Sequence, residues 1–427
     1  MTDLLHVILE DRVAGTLRRL SGGRLRFEYD DDYRRISAGT PLSLSMPIEA
    51  RTHGDGVVTP WLWGLLPDDG AVLRRWGRRF HVATTSPFAL LATPVGEDCA
   101  GAVRFARPED LDRALTRGGD VAWLTDDEVG ERLRDLREDA TSWLGRTLTG
   151  QFSLAGAQAK TALLHRDGRW GVPSGGTPTT HILKPAIHGL DDHDLNEHLC
   201  LDAARRAGLL VARTRIASFG TETAVVVERY DRRVGADGTV TRVHQEDLCQ
   251  ALGSPPARKY QNEGGPRPPQ IATLLRGALP SSVADAAVER FADALIWNWL
   301  VGGTDAHAKN YSLLLAGDQT RLAPLYDIAS ALPYGDHERS LRFAMKLGGD
   351  YRVFPHRNPW PAVADDLGLD ADALVDRATH LATIAGDAVA DAARAPEVVA
   401  LGRALPDSLV DLVADRAARC RRVIETG

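Results

Sequence analysis

The chain has 427 residues, 44% hydrophobic and 26% charged, as is ordinary for a soluble globular protein of two or three domains. Its formal net charge of −7 argues against a protein that binds nucleic acid through a broad basic face of its own. The four cysteines lie far apart, which indicates neither a zinc site nor a disulfide framework. Because neither a secretory signal nor a transmembrane run is recognisable, we expect a cytoplasmic protein with no membrane partner.

The first third of the chain predicts a strand-rich domain and a connector. In residues 1–108, LLHVILEDRVAGTLRR and GGRLRFEYDDDY alternate apolar and polar residues as strands do. An aromatic helix follows, in which Pro67-Asp68-Asp69-Gly70 acts as a stop or restart. Residues 109–148 have the charge density and apolar spacing of short surface helices, and we interpret them as a helical connector.

Residues 149–427 form the third predicted unit, whose β-rich half, up to about residue 235, precedes a largely helical half. FSLAGAQAKTALLHRDGRWGVP has the pattern of a strand, a turn of small residues, a second strand and a hairpin. A short strand ends on Lys184, an amphipathic helix carries Glu197 near its start, and a buried strand ends at Glu228. The fold class is therefore mixed, with segregated strands and helices.

A candidate catalytic loop lies in the helical half, after an apolar helix that ends at Gly302-Gly303. Asp305 stands five residues before Asn310, and a short hairpin leads on to Asp327. A kinase catalytic loop has this Asp–Asn interval and a second, metal-binding Asp after a hairpin. The alternative interpretation is a polar surface loop with an Asx turn, because one such motif alone is weak.

The β-rich half contains further parts that phosphoryl transfer requires. The turn Ala155-Gly156-Ala157-Gln158 would let backbone N–H groups approach phosphates closely, although it is neither a Walker A motif nor a dinucleotide fingerprint. Lys184 and Glu197 have the order of the strand lysine that contacts the α- and β-phosphates in kinases and of the helix glutamate that pairs with that lysine. The segment from Glu228 follows a strand and would present backbone amides to an adenine edge. A plain hairpin, a surface lysine and a solvated strand end are the alternatives.

Other chemistries find little support in the residue pattern. His244 and His307 lack partners at the spacing of metal ligands, so we interpret both as hydrogen-bonded histidines. Serine hydrolase motifs such as G-x-S-x-G and S-x-x-K do not occur.

Taken together, the motifs resemble a known family, the HipA-type serine/threonine-protein kinase toxins of bacterial toxin–antitoxin pairs. LLPDD and GAVRF resemble its N-terminal domain. Blocks that resemble its kinase core occur in the family's order: SLAGAQAKTALL, THILKP, NEHLCLDAARRAGL, VVERYDR, QEDLCQALG, KYQNEGGP, GGTDAHAKNYSLLL and LAPLYDIASA. The resemblance covers nearly the whole chain, and eight ordered blocks are far more specific than any one of them.

The resemblance implies a two-lobed, protein-kinase-like α+β fold with an additional strand-rich N-terminal domain, acting with ATP and Mg²⁺. Asp305 would be the catalytic base, and Asn310 and Asp327 would bind the metal. The positions implied to contact the nucleotide are Ala155, Gly156, Ala157, Gln158, Ala159, Lys160, Lys184, Glu228, Arg229, Tyr230, His307, Ala308, Lys309, Asn310, Tyr326 and Asp327. Residues before the catalytic Asp, Gly303-Thr304, depart from the His-Arg of eukaryotic kinases, and Tyr-Asp-Ile-Ala replaces their Asp-Phe-Gly.

The resemblance also implies partners and regulation. Ser153 falls where family members autophosphorylate and inactivate themselves, since a phosphate there would repel ATP; by itself it is a plain strand serine. The expected partner is a HipB-like helix-turn-helix antitoxin, which would make association with operator DNA indirect. The expected target is an aminoacyl-tRNA synthetase such as glutamate–tRNA ligase. Two alternatives remain open: a small-molecule kinase, and a non-catalytic corepressor that supports an antitoxin on DNA.

Overall fold

The computed structural model describes residues 3–36, 38–116, 118–145, 152–335 and 338–426. The predicted boundary between residues 148 and 149 lies outside the described residues, so the division into domains stays a prediction. Among the described residues, no helix combines the length and the apolar character needed to cross a lipid bilayer.

An antiparallel sheet forms the centre of the N-terminal domain. Its strands follow the spatial order Thr52–His53, Leu25–Tyr29, Arg12–Arg19, Leu4–Leu9 and Arg104–Ala106. Alternate side chains of Leu25–Tyr29 are buried, as the sequence pattern predicts. The helices of this domain are Asp31–Arg34, Asp55–Gly64, Gly70–Phe80 and Pro87–Leu91.

A second antiparallel sheet forms the smaller lobe of the remaining chain. The order of its strands is Thr214–Phe219, Glu222–Glu228, His181–Lys184, Thr161–Arg166, Arg169–Pro173 and Val121–Leu124. Helix His193–Arg206 packs against two of these strands, which brings the predicted strand lysine and helix glutamate into one lobe.

The described residues between 109 and 145 contain a strand as well as the helices that the sequence predicts for the connector. The helices are Leu111–Leu115 and Asp126–Glu138, and Val121–Leu124 is an edge strand of the lobe's sheet. The longer helix begins at a capping box of Thr125 and Glu128 and buries one apolar face beneath the sheet: Val129, Leu133 and Leu136. The described part of the segment therefore belongs to the lobe. A strand this short forms because it pairs with Arg169–Pro173, a partner distant in sequence.

The larger lobe is mainly helical, as predicted. Its helices are Leu248–Ala251, Pro268–Ala278, Ser281–Val301, Trp360–Leu367, Ala371–Ala393, Pro396–Val399 and Leu405–Glu425. Its strands are His244–Asp247, Ser312–Ala316 and Gln319–Leu322 in one sheet, with the pairs Arg232–Val234 and Val240–Arg242, and Arg342–Leu347 and Asp350–Arg352. Helix Ser281–Val301 is buried over its last turns, including Trp297 and Trp299. It ends at Gly302, whose φ of 69° is the left-handed cap that glycine favours.

Candidate active site

A cleft of about 660 Å³ lies between the two lobes and beside the N-terminal domain. Most of the predicted nucleotide positions line it, together with Asp305 and Glu197. Ser153, Ala159 and Ala308 do not line it, and Ser153 and Ala308 are fully buried. The structure therefore brings together residues that are widely separated in the sequence.

Lys184 is the centre of the charged part of the cleft. Its Nζ donates to Glu197 Oε1 and to Asp327 Oδ1, both at 2.7 Å. Burial opposes the charge of Lys184, but the carboxylates of Asp327 and Glu197 outweigh burial and hold its pKa above the ordinary value. The predicted lysine–glutamate pair is thus formed in this structure.

The two carboxylates beside Lys184 differ in their electrostatics. Burial would raise the pKa of Asp327, yet Lys184 and Lys160 lower it well below its usual range. Burial raises the pKa of Glu197 despite the opposing effect of Lys184. Asp327 is therefore the more firmly ionised of the two. Its φ of 58° is left-handed, a strained conformation for a non-glycine residue of the kind that accumulates at functional sites.

Asn310 and Asp327 fit a magnesium ion. Asn310 Nδ2 donates to the backbone oxygen of Asp305 at 2.8 Å, so the amide oxygen is the atom that could coordinate a metal. Among the described residues, no group of three or more histidine, cysteine or acidic side chains could hold a metal by itself. Mg²⁺ typically takes one or two protein oxygens and completes its shell with water and substrate phosphates, so this small donor set suits it.

Asp305 is accessible to a substrate, and one hydrogen bond orients its carboxylate. Its side chain is 63% exposed, and Tyr260 donates its hydroxyl to Asp305 Oδ1 at 2.6 Å. His307 Nε2 lies 3.8 Å from the other carboxylate oxygen, and its ring meets the ring of Tyr260 edge to face. Burial lowers the pKa of His307, so it is neutral at pH 7. A carboxylate with this exposure and fixed orientation can accept the proton of an attacking hydroxyl.

An apolar pocket lies at the end of the cleft nearest Glu228. Ile182, Val227, Tyr230 and Tyr326 line it, with the two tyrosine rings 5.7 Å apart. Tyr326 donates to the backbone oxygen of Lys309 at 2.7 Å, which connects the pocket to the candidate catalytic loop. Such a pocket can accommodate a planar base.

The backbone and side chain near Glu228 do not meet the expectation in full. The N–H groups of Glu228 and Arg229 already donate to the carbonyls of Arg213 and Thr180. The guanidinium of Arg229 is buried against Asp231 and Asp98, away from solvent. Arg229 therefore joins the lobe to the N-terminal domain, a role that the sequence pattern does not indicate.

The turn of small residues lies over the cleft. Gly156 has a φ of 104°, and a Cβ there would come within 2.6 Å of Lys160 Nζ. Lys160 Nζ donates to Ala155 O at 2.7 Å and lies 5.0 Å from the centre of the Trp143 ring. Burial, aided by Lys184, lowers the pKa of Lys160 to about 8. The turn thus carries a cation that water solvates poorly, at the place where phosphates are expected.

Ser153 is held by the N-terminal domain. Its hydroxyl donates to Leu65 O at 2.7 Å, its N–H donates to Asp98 O at 2.9 Å, and its backbone pairs with that of Cys99. The side chain is inaccessible to solvent in this conformation.

Sequence reasoning misses three residues of the site: Asp68, Lys259 and Tyr260. Asp68 belongs to the N-terminal domain, and its carboxylate contacts Lys259 and Lys309 in the cleft. In the sequence, KYQNEGGP and LLPDD, which contains Asp68, are notable only for their resemblance to the family, and Asp68 also belongs to the predicted helix stop. An adjacent Lys-Tyr before a Gly-Gly turn is the available signal for two of the three.

The fold and the Lys184–Glu197 pair define the class, a two-lobed protein of the kinase-like type with an added N-terminal domain. Family models for the HipA N-terminal domain and the HipA-like C-terminal domain match residues 5–106 and 152–394. The chain belongs to the HipA family of serine/threonine-protein kinase toxins.

Individual relatives extend over most of the chain. A Sinorhizobium fredii protein named as a candidate kinase, Y4mE, is 34% identical and covers 98% of each chain. The serine/threonine-protein kinase toxin HipA of Shewanella oneidensis is 30% identical, covering 85% of this chain and 83% of the relative. The solved structure of Shewanella oneidensis MR-1 HipA with HipB and operator DNA matches with a TM-score of 0.83 at 24% identity, covering 99% and 98% of the chains. That likeness confirms the predicted fold.

Proposed function

We propose that this protein is an ATP- and Mg²⁺-dependent serine/threonine-protein kinase that acts as the toxin of a toxin–antitoxin pair. The observation that carries the proposal is the cleft in which Lys184, Glu197, Asp305, Asn310 and Asp327 meet. Membership of the HipA family supports the same activity.

The chain's own residues account for the steps of phosphoryl transfer. The apolar pocket with Tyr230 and Tyr326 binds the base, and Lys184 with the turn that carries Gly156 binds the phosphates. Asp305, oriented by Tyr260, accepts the proton of the attacking serine or threonine hydroxyl. Bound Mg²⁺, held by Asn310 and Asp327, would neutralise charge on the phosphates.

The decisive test is phosphopeptide mass spectrometry after incubation with Mg-ATP and candidate substrates. We expect Asp305→Asn to reduce phosphoryl transfer by about 10²- to 10⁴-fold, because the base is lost. Asp318→Asn, on the exposed β-hairpin beyond the cleft, is the control and should retain full activity. Equal activity of wild type and Asp305→Asn would contradict the kinase proposal.

Ser153 is the proposed site of inhibitory autophosphorylation. Because its hydroxyl is buried, we expect phosphorylation to require release of the segment from Leu65 and Cys99. Phosphate on Ser153 in the wild type and its absence in Asp305→Asn would support this regulation. An unmodified Ser153 in wild type that phosphorylates another protein would refute it.

A HipB-like antitoxin and an aminoacyl-tRNA synthetase, such as glutamate–tRNA ligase, are the proposed partner and target. The first is supported by the similar HipA that was solved with HipB and DNA. Growth arrest by the wild type that disappears in Asp327→Asn would favour the toxin over a non-catalytic corepressor. Growth arrest by both would favour the corepressor, and phosphorylation of a metabolite alone would favour a small-molecule kinase.

A further inference from the structure

One side chain of the N-terminal domain enters the cleft from outside the two lobes. Asp68 lies between helices Asp55–Gly64 and Gly70–Phe80, and only 12% of its side chain is exposed. One carboxylate oxygen contacts Lys309 Nζ, and the other accepts a hydrogen bond from Lys259 Nζ at 2.8 Å. The Asp68 N–H donates to Gly156 O at 3.0 Å, so the same residue also touches the turn over the cleft.

Each lysine is adjacent in sequence to a residue that holds Asp305. Lys309 precedes Asn310, whose amide donates to the backbone of Asp305. Lys259 precedes Tyr260, whose hydroxyl donates to the carboxylate of Asp305. The two segments also contact each other directly, since the N–H of Ala308 donates to Lys259 O at 3.4 Å. Asp68 therefore connects the two structural supports of the catalytic carboxylate.

The charges explain why this connection matters. Lys309 is nearly inaccessible to water, with 3% of its side chain exposed, and an unpaired ammonium in such a place is strongly unfavourable. Burial would raise the pKa of Asp68, but Lys309 and Lys259 outweigh it and lower the pKa, so the carboxylate is ionised. One carboxylate and two ammonium groups leave a net charge of +1 beside the expected phosphates. Each lysine also keeps N–H donors beyond the one that Asp68 accepts.

We propose that Asp68 is a positioning residue of the active site, which fixes Lys309 and Lys259 so that Asn310 and Tyr260 hold Asp305 in place. The N-terminal domain thereby completes the kinase, in addition to any role in binding a partner. The effect on turnover rests on the proposed kinase function, whereas the effect on the order of the loop does not.

The test compares Asp68→Asn with Asp139→Asn in the full-length protein. Asp139 also forms an ion pair with the N-terminal domain, through Arg75, but it does not line the cleft. We expect amide hydrogen exchange in residues 303–311 to accelerate by roughly tenfold or more in Asp68→Asn. The control should exchange like the wild type, with both variants keeping the secondary structure of the wild type.

The kinetic readout separates positioning from general destabilisation. We expect kcat to fall by about 10- to 100-fold in Asp68→Asn while KM for ATP changes less than about threefold, because a misplaced base slows chemistry more than binding. In a double-variant cycle, Asp68→Asn combined with Lys259→Met should be no slower than the slower single variant, since both changes break one unit.

Either of two results would overturn the proposal. The first is unchanged exchange in residues 303–311 of Asp68→Asn, a result that decides the matter even if the wild type transfers no phosphate. The second is strict additivity in the double-variant cycle, because it would mean that Asp68 and Lys259 act separately.

Discussion

Lys160 is a buried cation on the turn above the cleft, and its surroundings favour the neutral amine. Its folded pKa of about 8 lies below the ordinary 10.5, chiefly because of burial. Between these two pH values the unfolded chain binds a proton that the folded chain lacks, so Lys160 makes stability rise with pH across that window. At pH 7 the residue therefore carries its full destabilising effect, which a phosphate ligand would relieve.

Replacing this lysine should separate stability from nucleotide affinity. We expect Lys160→Met to raise the Tm of the nucleotide-free protein at pH 7 by about 2–4 °C, and this gain to shrink towards pH 10. ATP binding should weaken about tenfold, equivalent to about 1.4 kcal/mol. Calorimetry at pH 7 and 9.5, with titration of ATP, measures both effects. Lys346→Met, outside the cleft, is the control for affinity, and a Tm gain independent of pH would contradict the argument.

At the scale of the element, the candidate catalytic loop is positioned by the end of helix Ser281–Val301. The N–H of Gly303 donates to Asn298 O at 2.8 Å, and the Asn298 amide donates to Ala294 O at 2.9 Å. A Cβ on Gly303 would lie 2.2 Å from Asn298 Oδ1. The start of the loop is therefore packed too closely for any side chain.

We expect Gly303→Ala to displace Asn298 and to cost about 1–3 kcal/mol of stability, with a loss of turnover as the loop shifts. Gly277→Ala is the matched control, because Gly277 lies in helix Pro268–Ala278 with open space where a Cβ would stand. Alanine there should be neutral or stabilising by up to about 1 kcal/mol. Thermal unfolding and turnover should be measured for both variants. If Gly303→Ala is as stable and as active as Gly277→Ala, the prediction of close packing at Gly303 is wrong.

The elements show what the sequence can and cannot reveal. The sequence predicts the Lys184–Glu197 pair correctly, because the strand that ends at Lys184 and the helix that carries Glu197 follow each other closely in the chain. Each of the two elements can be recognised from its own residue pattern. The edge strand Val121–Leu124 escapes prediction because a short strand is stabilised mainly by its partner. Asp68 escapes it because it meets Lys309 across 241 positions of sequence, a distance that no local pattern records. The burial of the Arg229 guanidinium in an ion cluster cannot be recognised from residue type either, and its contact with a nucleotide stays a prediction.

For the whole molecule, the important feature is that the N-terminal domain binds both lobes. On the smaller lobe, Asp98 of this domain pairs with Arg229, directly after strand Glu222–Glu228, at 3.4 Å. On the larger lobe, Glu246 lies 2.5 Å from Ser43 Oγ and 2.8 Å from the N–H of Leu44. Burial raises the pKa of Glu246 to about 8, so this interface contains a titratable group.

The interface should consequently weaken as the pH rises. Because folded Glu246 keeps a proton that the unfolded residue loses above its ordinary pKa of 4.5, its contribution to stability falls between pH 4.5 and 8. The slope is at most about 1.4 kcal/mol per pH unit. We expect Glu246→Gln to be more stable than the wild type at pH 8.5 and to approach it at pH 5.5, as measured by Tm. Glu289→Gln, on an exposed helix face, is the control; a constant difference across pH would refute the argument.

The attachment of one domain to both lobes has a mechanical consequence. Because the N-terminal domain contacts both lobes, it should restrain the rotation of one lobe relative to the other. Nucleotide exchange should then require movement of the short turn around Gly156, which lies over the cleft. The two lobes should remain nearly stationary relative to each other. Local opening of this turn would set the rates of ATP binding and release. Small-angle scattering with and without nucleotide should therefore show almost no change in the radius of gyration.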